Sequence, residues 1–337
     1  MDPKEVRRND RYAQLALAAT HGALKDANLT REELVPKRTG VLVGSGIGGM
    51  DTIEKQMTTL IERGPRRVSP FMIPSLIANI AGGIIAIDLG AKGPNFSVVS
   101  ACASGSHAIG EAFEMIRRGA ADVIFAGGSE AAVTRIGFAG FSSMKAMSTK
   151  FNDDPSRASR PFDKNRDGFV MGEGSGVLIL ESEQKAKNRG ANILAWLYEP
   201  GHASDAFNRT SPSGEGAKSS MLDAIYAGDF PDVVNAHGTS TLIGDKVEHE
   251  CITEITPNTP IYSVKGKIGH TLAAAGILET IYSIKSMKEG IIPPCHNTRV
   301  PAFDVITKPT RGDFNRTLNN SFGFGGKCIS QIIEIVK

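Results

Sequence analysis

The chain has 337 residues, of which 41% are hydrophobic and 22% are charged, and its formal net charge is +2 at neutral pH. These values are typical of a globular protein with a large core, and the weak net charge gives no reason to expect a nucleic-acid partner. Four cysteines lie far apart without a CxxC pair, which favours a reducing compartment and excludes a cysteine-based zinc ribbon. Neither a membrane-spanning apolar run nor a hydrophobic signal core is present. We therefore expect no membrane association and a cytoplasmic protein, or one of an organelle matrix if an upstream transit peptide has been lost.

Helical and strand-like patterns alternate along the whole chain. Apolar residues at helical spacing predict helices at 11–27, 74–89, 138–146, 216–226, 244–254 and 272–287. Short apolar runs predict strands at 40–46, 121–127, 176–180, 194–197, 232–236, 261–264, 317–322 and 329–336. No low-complexity linker separates the two halves. The alternation predicts one α/β body whose sheets are covered on both faces.

Cys102 lies at a predicted strand-to-helix turn. The apolar run from Phe96 to Val99 indicates a buried strand, residues 100–105 are small, and apolar residues at helical spacing then continue to Gly119. A thiol at the start of a helix faces the positive end of the helix dipole, which favours the thiolate and lowers the pKa of the cysteine. A lone cysteine is more often a buried structural residue. The position among small residues favours a nucleophile over that alternative.

Two histidines have matching surroundings in the second half of the chain. His237 follows a predicted strand and precedes Gly-Thr-Ser-Thr, and His270 follows KGKIG and precedes a small-residue helix. Both lie at strand-loop-helix junctions, where open α/β proteins place their chemistry. A single histidine in such a place is more often structural, but the pair together with Cys102 favours catalysis. Zinc bound by these three residues is the weaker alternative, because no fourth ligand lies in a comparable motif.

Two other motifs match known ligand loops only in part. Residues 44–49 match GxGxxG, but no acidic residue follows at the distance that a dinucleotide site requires. We expect these glycines to let the backbone pass close to another element or to a substrate. Residues 163–168 resemble the start of a calcium loop, but Gly174 stands where the bidentate ligand is needed and Glu173 comes one residue early. The sequence therefore predicts neither a nucleotide site nor a metal site.

Five stretches distributed along the chain resemble the β-ketoacyl-acyl carrier protein synthases of type II fatty acid synthesis, and they are closest to the elongating synthase II and I type. These stretches are SACASGSHAIGEA, SRPFDKNRDGFVMGEGSGVLILE, NAHGTST-LIGDKVE, KGKIGHTLAAAG and NSFGFGG. The resemblance implies a thiolase-like fold with two similar α/β halves in a five-layered αβαβα body. It places the nucleophile in residues 1–182 and both histidines in residues 183–337. It also implies a homodimer.

The resemblance implies a role for each matching residue. Cys102 would take the acyl chain from the carrier protein as a thioester, which suits an intrinsically nucleophilic thiolate. His237 and His270 would donate hydrogen bonds to the malonyl thioester carbonyl and stabilise the enolate that forms when carbon dioxide leaves. The backbone N–H groups of Cys102 and Phe324 would hold the oxyanion of the condensation step. The family needs no cofactor of its own, because phosphopantetheine arrives on the carrier protein.

The resemblance implies that residues at other matching positions bind the substrate or the carrier protein, or support a catalytic histidine. The charged pair that the family keeps beside the second histidine corresponds to Lys265 and Glu279, whose simpler interpretation is a buried ion pair that holds a helix. Substrate-binding positions correspond to Ile47 at the end of the acyl pocket, Thr239 and Thr241 beside the pantetheine arm, and Phe322 near the gate. Basic positions that meet the acidic carrier protein correspond to Lys4, Arg7, Arg8 and Arg160, for which a solvated surface is an equally good interpretation.

The start of the chain departs from the family pattern. Family members have a hydrophobic strand, a Gly-rich turn and a helix before the segment that corresponds to Lys4–Arg8, whereas this chain begins at Met1. We expect that strand to occupy a central position in the first sheet, so its absence would expose unpaired backbone groups. The sequence would then be incomplete, or another segment would fill the gap, or the protein would not be a working enzyme.

Three hypotheses follow from these observations. The first is a condensing enzyme that extends acyl chains by two carbons from malonyl-acyl carrier protein, and the presence of Cys102, His237 and His270 favours it. The second is a non-catalytic ketosynthase-like partner or chain-length subunit, which the departure at the start favours. The third, thiolase-type cleavage with coenzyme A, fits poorly because Cys328 does not lie in the thiolase motif. Fatty acid substrates are preferred over polyketides because SACASG lacks a serine-rich context.

Overall fold

In the computed structural model, which describes residues 3–337, helices and strands alternate along the chain as predicted. The helices are α1 (Pro3–Arg8), α2 (Arg11–Asp26), α3 (Met50–Arg63), α4 (Met72–Leu76), α5 (Ile80–Leu89), α6 (Ser104–Arg117), α7 (Arg135–Ser143), α8 (Glu183–Asn188), α9 (Glu215–Gly228), α10 (Leu242–Ile255), α11 (Lys265–Ile268) and α12 (Ala275–Lys288). The strands are β1 (Thr39–Gly44), β2 (Asn95–Phe96), β3 (Val123–Glu130), β4 (Gly174–Glu181), β5 (Ala195–Leu197), β6 (Gly201–Ser204), β7 (Val233–Asn235), β8 (Ile261–Tyr262), β9 (Ile291–Ile292), β10 (Thr310–Arg311), β11 (Arg316–Gly323) and β12 (Lys327–Ile335). None of the described helices is long and apolar enough to cross a membrane.

The chain divides into two compact units, each built from separate segments. Of the described residues, unit 1 contains 3–140, 172–192 and 271–277, and unit 2 contains 141–171, 193–270 and 278–337. The two halves that the family resemblance implies, 1–182 and 183–337, stay a prediction. Cys102 belongs to unit 1, whereas both histidines belong to unit 2.

Unit 1 contains a four-stranded sheet in the order β2-β1-β3-β4. The strands β2, β1 and β3 are parallel, and β4 pairs antiparallel with β3 over its full length. All six residues of β1 are buried, which is typical of a strand covered on both faces. The core that forms beside this sheet joins α2, α5 and the strands through residues such as Tyr12, Leu17, Ile85 and Phe125. Helix α6, which follows Cys102, packs against β1 and β3.

Unit 2 contains a six-stranded sheet in the order β5-β12-β11-β7-β8, and β6 also pairs with β12. The strands β8, β7 and β11 are parallel, and β12 runs antiparallel to β11. Its core includes Met221 of α9, Ile252 of α10, Val234 of β7 and Ile332 of β12. This arrangement places the ends of β7 and β8, which precede His237 and Lys265, side by side in one sheet.

Three expectations about elements differ from the structure. The predicted helix 74–89 is two helices, α4 and α5, because Ile77 is extended and its carbonyl accepts a hydrogen bond from the buried Tyr12 hydroxyl at 2.6 Å. The predicted strand 96–99 pairs only at Asn95–Phe96. The expected gap at the centre of the first sheet is wrong, because β1 pairs with β3 over six residues and the four strands form an unbroken sheet.

Candidate active site

Cys102 lies in a tight turn at the start of α6. It is the middle residue of the 3-10 turn Ala101–Ala103, and its side chain is 8% exposed. Ala101 has a φ of +52°, a left-handed conformation that residues other than glycine adopt rarely. Ser104 holds the turn, because its hydroxyl accepts a hydrogen bond from the Ser100 N–H at 2.9 Å and donates one to the Ala101 carbonyl at 2.7 Å. The turn therefore keeps the thiol at the first residues of a helix, as a positioned nucleophile requires.

Glycines let other backbone segments of unit 1 approach this turn closely. A Cβ atom on Gly44, at the end of β1, would lie 2.6 Å from the Ser104 carbonyl oxygen, and one on Gly105 would lie 2.6 Å from the Ala273 carbonyl oxygen. Real Cβ atoms do not approach backbone so closely, so both positions require glycine. Of the two, Gly44 belongs to the GxGxxG run, and its backbone passes close to another element, which is one of the two roles expected for that run.

His237 lies just after β7, and a carboxylate of α10 holds its backbone. Glu248 accepts hydrogen bonds from the backbone N–H groups of His237 and Gly238, both at 2.7 Å. The His237 side chain is buried. Burial, with added repulsion from the charge of Lys265, holds the pKa of His237 well below its ordinary value. The imidazole is therefore neutral at neutral pH.

His270 lies beside His237 in unit 2. Their ring centroids are 5.3 Å apart in an edge-to-face arrangement, and the ring of Phe169 lies 5.4 Å from that of His270. The backbone N–H of His270 donates to the Val170 carbonyl at 2.7 Å. Burial and the charge of Lys265 hold the pKa of His270 well below its ordinary value. Two neutral imidazoles thus lie edge to face in a buried site.

The ion pair of Lys265 and Glu279 is buried next to the first histidine. Lys265 donates to the Glu279 carboxylate and, at 2.5 Å, to the His237 carbonyl, and its ammonium lies 3.4 Å from His237 Nδ1. The sequence resemblance placed this pair beside the second histidine, whereas the hydrogen bonds of Lys265 go to the first. Burial raises the pKa of Glu279, and Lys265 opposes that shift.

Sequence reasoning missed the two buried carboxylates of α10. Asp245 accepts hydrogen bonds from the backbone N–H groups of Phe162 at 2.7 Å and Ser240 at 3.0 Å, and both of those residues have positive φ. Glu248, one turn later, holds the backbone at His237. Burial raises the pKa of Asp245 to about 6 and that of Glu248 to about 7. The signal in the sequence is an Asp and a Glu three residues apart on the apolar face of a predicted helix.

The expected pantetheine residues lie in the loop that follows His237, whereas the expected gate residue lies on β11. The hydroxyls of Thr239 and Thr241 are 3.0 Å apart, and both residues are half-buried. The ring of Phe322, on β11, lies 5.8 Å from that of His237. Phe324 is 39% exposed in the turn between β11 and β12, where Gly325 and Gly326 both have positive φ. Within the described residues, no group of three or more His, Cys, Asp and Glu side chains could hold a metal ion.

The predicted basic positions fall into two different environments. Lys4, Arg7 and Arg8 are exposed on α1. Arg160 is only 3% exposed, its guanidinium lies 3.6 Å over the Phe151 ring, and it donates to the Arg157 carbonyl. This buried position does not suit direct contact with a partner protein, so we do not include Arg160 in the carrier-protein surface.

Comparisons with known proteins agree with this geometry. The β-ketoacyl synthase N-terminal domain family matches residues 1–186, and the C-terminal domain family matches residues 198–299. The chain is 45% identical over 341 aligned residues to 3-oxoacyl-[acyl-carrier-protein] synthase 2 of Staphylococcus aureus, covering 97% of this chain and 84% of that protein. It is 44% identical to the protein of the same name from Synechocystis, covering 98% and 83%.

Solved structures show the same fold. A β-ketoacyl synthase from Burkholderia phymatum STM815 matches with a TM-score of 0.92 at 33% identity, covering 99% of this chain and 85% of that one. The ishigamide ketosynthase/chain length factor matches with a TM-score of 0.91 at 30% identity, covering 98% and 83%. The fold of this chain is therefore the thiolase-like α/β fold that ketosynthases share.

Proposed function

The chain belongs to the β-ketoacyl synthase family of condensing acyltransferases, and from that premise we propose that it elongates fatty acids by two carbons. In this reaction, an acyl chain held as a thioester on Cys102 condenses with malonyl-acyl carrier protein, and carbon dioxide is lost. The observation that carries the proposal is the pair of neutral histidines in unit 2, which suits donation to a developing enolate. Catalytic roles for Cys102, His237, His270, Lys265, Glu279 and Phe324 are part of this proposal.

The first step is acyl transfer to Cys102. The Cys102 thiol gives up its proton, and the thiolate attacks the carbonyl carbon of the acyl thioester. The tetrahedral intermediate then collapses, and the carrier-protein thiolate leaves and takes up a proton in place of the one that Cys102 released. The turn that Ser104 fixes holds the thiol at the start of α6, where the helix dipole favours the thiolate. The backbone N–H groups of Cys102 and Phe324 are the proposed donors to the oxyanion. The resulting thioester remains electrophilic for the second step.

The second step is decarboxylation of the malonyl group and formation of the carbon–carbon bond. The carbon–carboxylate bond breaks, and its electron pair forms an enolate whose oxygen accepts hydrogen bonds from His237 and His270. The tautomer of His237 follows from its surroundings. The Lys265 ammonium can only donate, so Nδ1 of His237 is the acceptor, and Nε2 carries the proton that is donated to substrate. The enolate carbon then attacks the Cys102 thioester, and the thiolate leaves.

The substrate-binding positions and the partners are proposed from exposure and charge. We assign Thr239 and Thr241 to the pantetheine arm, Ile47 to the acyl pocket and Phe322 to the gate. The exposed residues Lys4, Arg7 and Arg8 of α1 form a positive surface that suits an acidic carrier protein. The carrier brings the phosphopantetheine, so the proposed reaction uses no cofactor of the chain itself.

A homodimer is proposed from the apolar surface of unit 1. Large apolar side chains in residues 61–99 are exposed, and Ile61 (78%), Ile73 (61%), Ile87 (83%) and Val99 (60%) are the clearest cases. Such a concentration of exposed apolar side chains is typical of a protein–protein interface. A second copy of the chain is the partner that the family resemblance implies.

The acylation step tests the proposal directly. The protein is incubated with palmitoyl-acyl carrier protein, and its intact mass is measured alongside Cys102→Ala and Cys295→Ala. We expect one acyl group on the wild type and on Cys295→Ala, because burial raises the pKa of the Cys295 thiol to about 12 and keeps that thiol protonated. We expect none on Cys102→Ala. A folded wild type without an adduct would contradict the proposal and favour a non-catalytic ketosynthase-like partner.

A further inference from the structure

A third buried carboxylate, Glu130, lies in unit 1 at the end of β3. It is completely buried and accepts hydrogen bonds from the Ser45 hydroxyl at 2.8 Å, the Gly46 N–H at 2.8 Å and the Ile47 N–H at 3.3 Å. Among residues 3–337 no cationic side chain forms an ion pair with it. Burial raises its pKa, and these hydrogen bonds oppose that shift. Glu130 is therefore held in place by donors of one short turn.

That turn, residues 44–49, packs against the turn of the nucleophile, residues 101–104. A Cβ atom on Gly46 would lie 2.8 Å from Glu130 Oε2 and 3.5 Å from the Ala101 carbonyl oxygen, beside Cys102. Ser45 extends the network, because its hydroxyl also accepts a hydrogen bond from the Gly48 N–H at 3.0 Å. The carboxylate thus fixes the turn on one side while the nucleophile turn lies on the other.

Glu130 also contacts the segment that follows His270. The backbone N–H of Ala273 is directed at the Glu130 carboxylate and opposes the rise of its pKa. The Ala273 carbonyl oxygen packs against two glycines. It would lie 2.4 Å from a Cβ atom on Gly128 and 2.6 Å from a Cβ atom on Gly105. Three turns of unit 1, at 44–49, 101–104 and 272–274, therefore meet around one carboxylate and the glycines next to it.

We propose that Glu130 is a positioning residue that sets the location of Ile47 relative to Cys102 and thereby sets the preference of the enzyme for acyl chain length. This inference rests on the proposed function, in which Ile47 lies at the end of the acyl pocket. Glu130 does not touch the reacting atoms. It acts through the backbone of the turn, since it binds the N–H groups of both Gly46 and Ile47.

Only a carboxylate satisfies the donors that converge on this site. One hydroxyl and three backbone N–H groups point at the two oxygens, so every partner is a donor. The amide of Gln keeps one oxygen and replaces the other with an NH₂ group, which would face an N–H donor across a hydrogen-bond distance. Glu130→Gln should therefore shift the turn at residues 44–49, although the volume of the side chain hardly changes.

The experiment measures chain-length preference rather than overall rate. For the wild type, Glu130→Gln, Ile47→Ala and the double variant, kcat/KM for Cys102 acylation is measured with octanoyl- and palmitoyl-acyl carrier protein. We expect Glu130→Gln to raise the palmitoyl-to-octanoyl ratio about threefold or more, because Ile47 no longer limits the end of the pocket. The double variant should match Ile47→Ala alone, because both changes act through the same side chain. Ser45→Ala, which removes one donor, should shift the ratio less and in the same direction.

Glu248→Gln is the matched control, because it removes a buried carboxylate that binds backbone N–H groups in unit 2. It should lower malonyl decarboxylation and leave the chain-length ratio at the wild-type value. If Glu130→Gln and Ser45→Ala lower acylation equally for both chains, Glu130 is only structural and the inference fails. The inference also fails if the effects of Glu130→Gln and Ile47→Ala multiply. A wild type that forms no acyl adduct with either chain would instead contradict the proposed function.

Discussion

The sheets of the two units follow the same plan but differ at one edge. In unit 1, parallel β2, β1 and β3 are followed by antiparallel β4, and in unit 2 parallel β8, β7 and β11 are followed by antiparallel β12. The outer edge of β12 is paired with β5 and β6, whereas within the described part of the chain no strand pairs with the outer edge of β4. The difference teaches that the antiparallel edge of each sheet does not position the candidate residues, since Cys102 follows β2 in unit 1 and His237 and Lys265 follow β7 and β8 in unit 2.

A second comparison concerns how each unit holds its site. Both use a buried glutamate that accepts backbone N–H groups, Glu130 in unit 1 and Glu248 in unit 2. Unit 2 adds the buried ion pair of Lys265 and Glu279, which contacts His237. In the described part of unit 1, hydrogen bonds and close glycine packing hold the turn of the nucleophile. The proposed chemistry reflects this difference. In unit 2 the Lys265 ammonium sets the tautomer of His237.

The largest expected effect comes from breaking the ion pair of unit 2. Lys265→Ala leaves Glu279 buried without its cation, which should lower the free energy of unfolding by about 3–5 kcal/mol. Chemical denaturation followed by circular dichroism measures the change. The control is Lys246→Ala on α10, whose pair with Glu250 is exposed and should contribute less than about 1 kcal/mol. Equal effects of the two variants would show that the buried pair does not hold the site.

A smaller effect is expected from the titration of Glu248. Burial raises the pKa of Glu248 to about 7, so it gains a proton between about pH 8 and about pH 6. A protonated carboxyl loses an acceptor for the N–H of His237 or Gly238. The rate of malonyl decarboxylation should therefore fall as the pH is lowered, with a midpoint near pH 7. The histidines do not add to this decline, because their pKa values lie well below 6.5. In Glu248→Gln the midpoint near pH 7 should be absent, and a profile identical to that of the wild type would contradict the account.

The same titration affects stability with the opposite sign. The pKa of Glu248 is higher in the folded state than in the unfolded state, so the folded state binds the proton more tightly. Its contribution to the free energy of unfolding is therefore complete below about pH 4.3 and is lost as the pH rises to about 7. Relative to Glu248→Gln, the wild type should gain at most about 1.4 kcal/mol for each pH unit of acidification in that range.

Much of the site was predictable because its chemistry is local in sequence. Cys102 and His237 lie in turns that follow strands, as apolar periodicity and glycine positions indicate, whereas His270 follows the short helix α11. The supporting carboxylates were not predictable in this way. Glu130, Asp245 and Glu248 bind backbone N–H groups of distant turns, and sequence spacing does not show which turns those are.

The errors in prediction have physical causes as well. The helix break at Ile77 depends on a hydrogen bond from Tyr12, 65 residues earlier, which no local pattern reveals. Arg160 has the charge expected of a surface contact, but stacking on Phe151 and bonding to Arg157 bury it. The sheet of unit 1 was expected to have a central gap, whereas the pairing of β1 with β3 is continuous.

The central proposal is that Cys102 of unit 1 takes the acyl chain and that the histidines of unit 2 promote decarboxylation. The most direct test assays the two partial reactions separately in Cys102→Ala and His270→Ala. We predict that Cys102→Ala forms no acyl adduct but still decarboxylates malonyl-acyl carrier protein. His270→Ala should form the adduct, and its decarboxylation should be about 100- to 1,000-fold slower. A folded His270→Ala protein that loses both reactions equally, or a Cys102→Ala protein that cannot decarboxylate, would contradict this division.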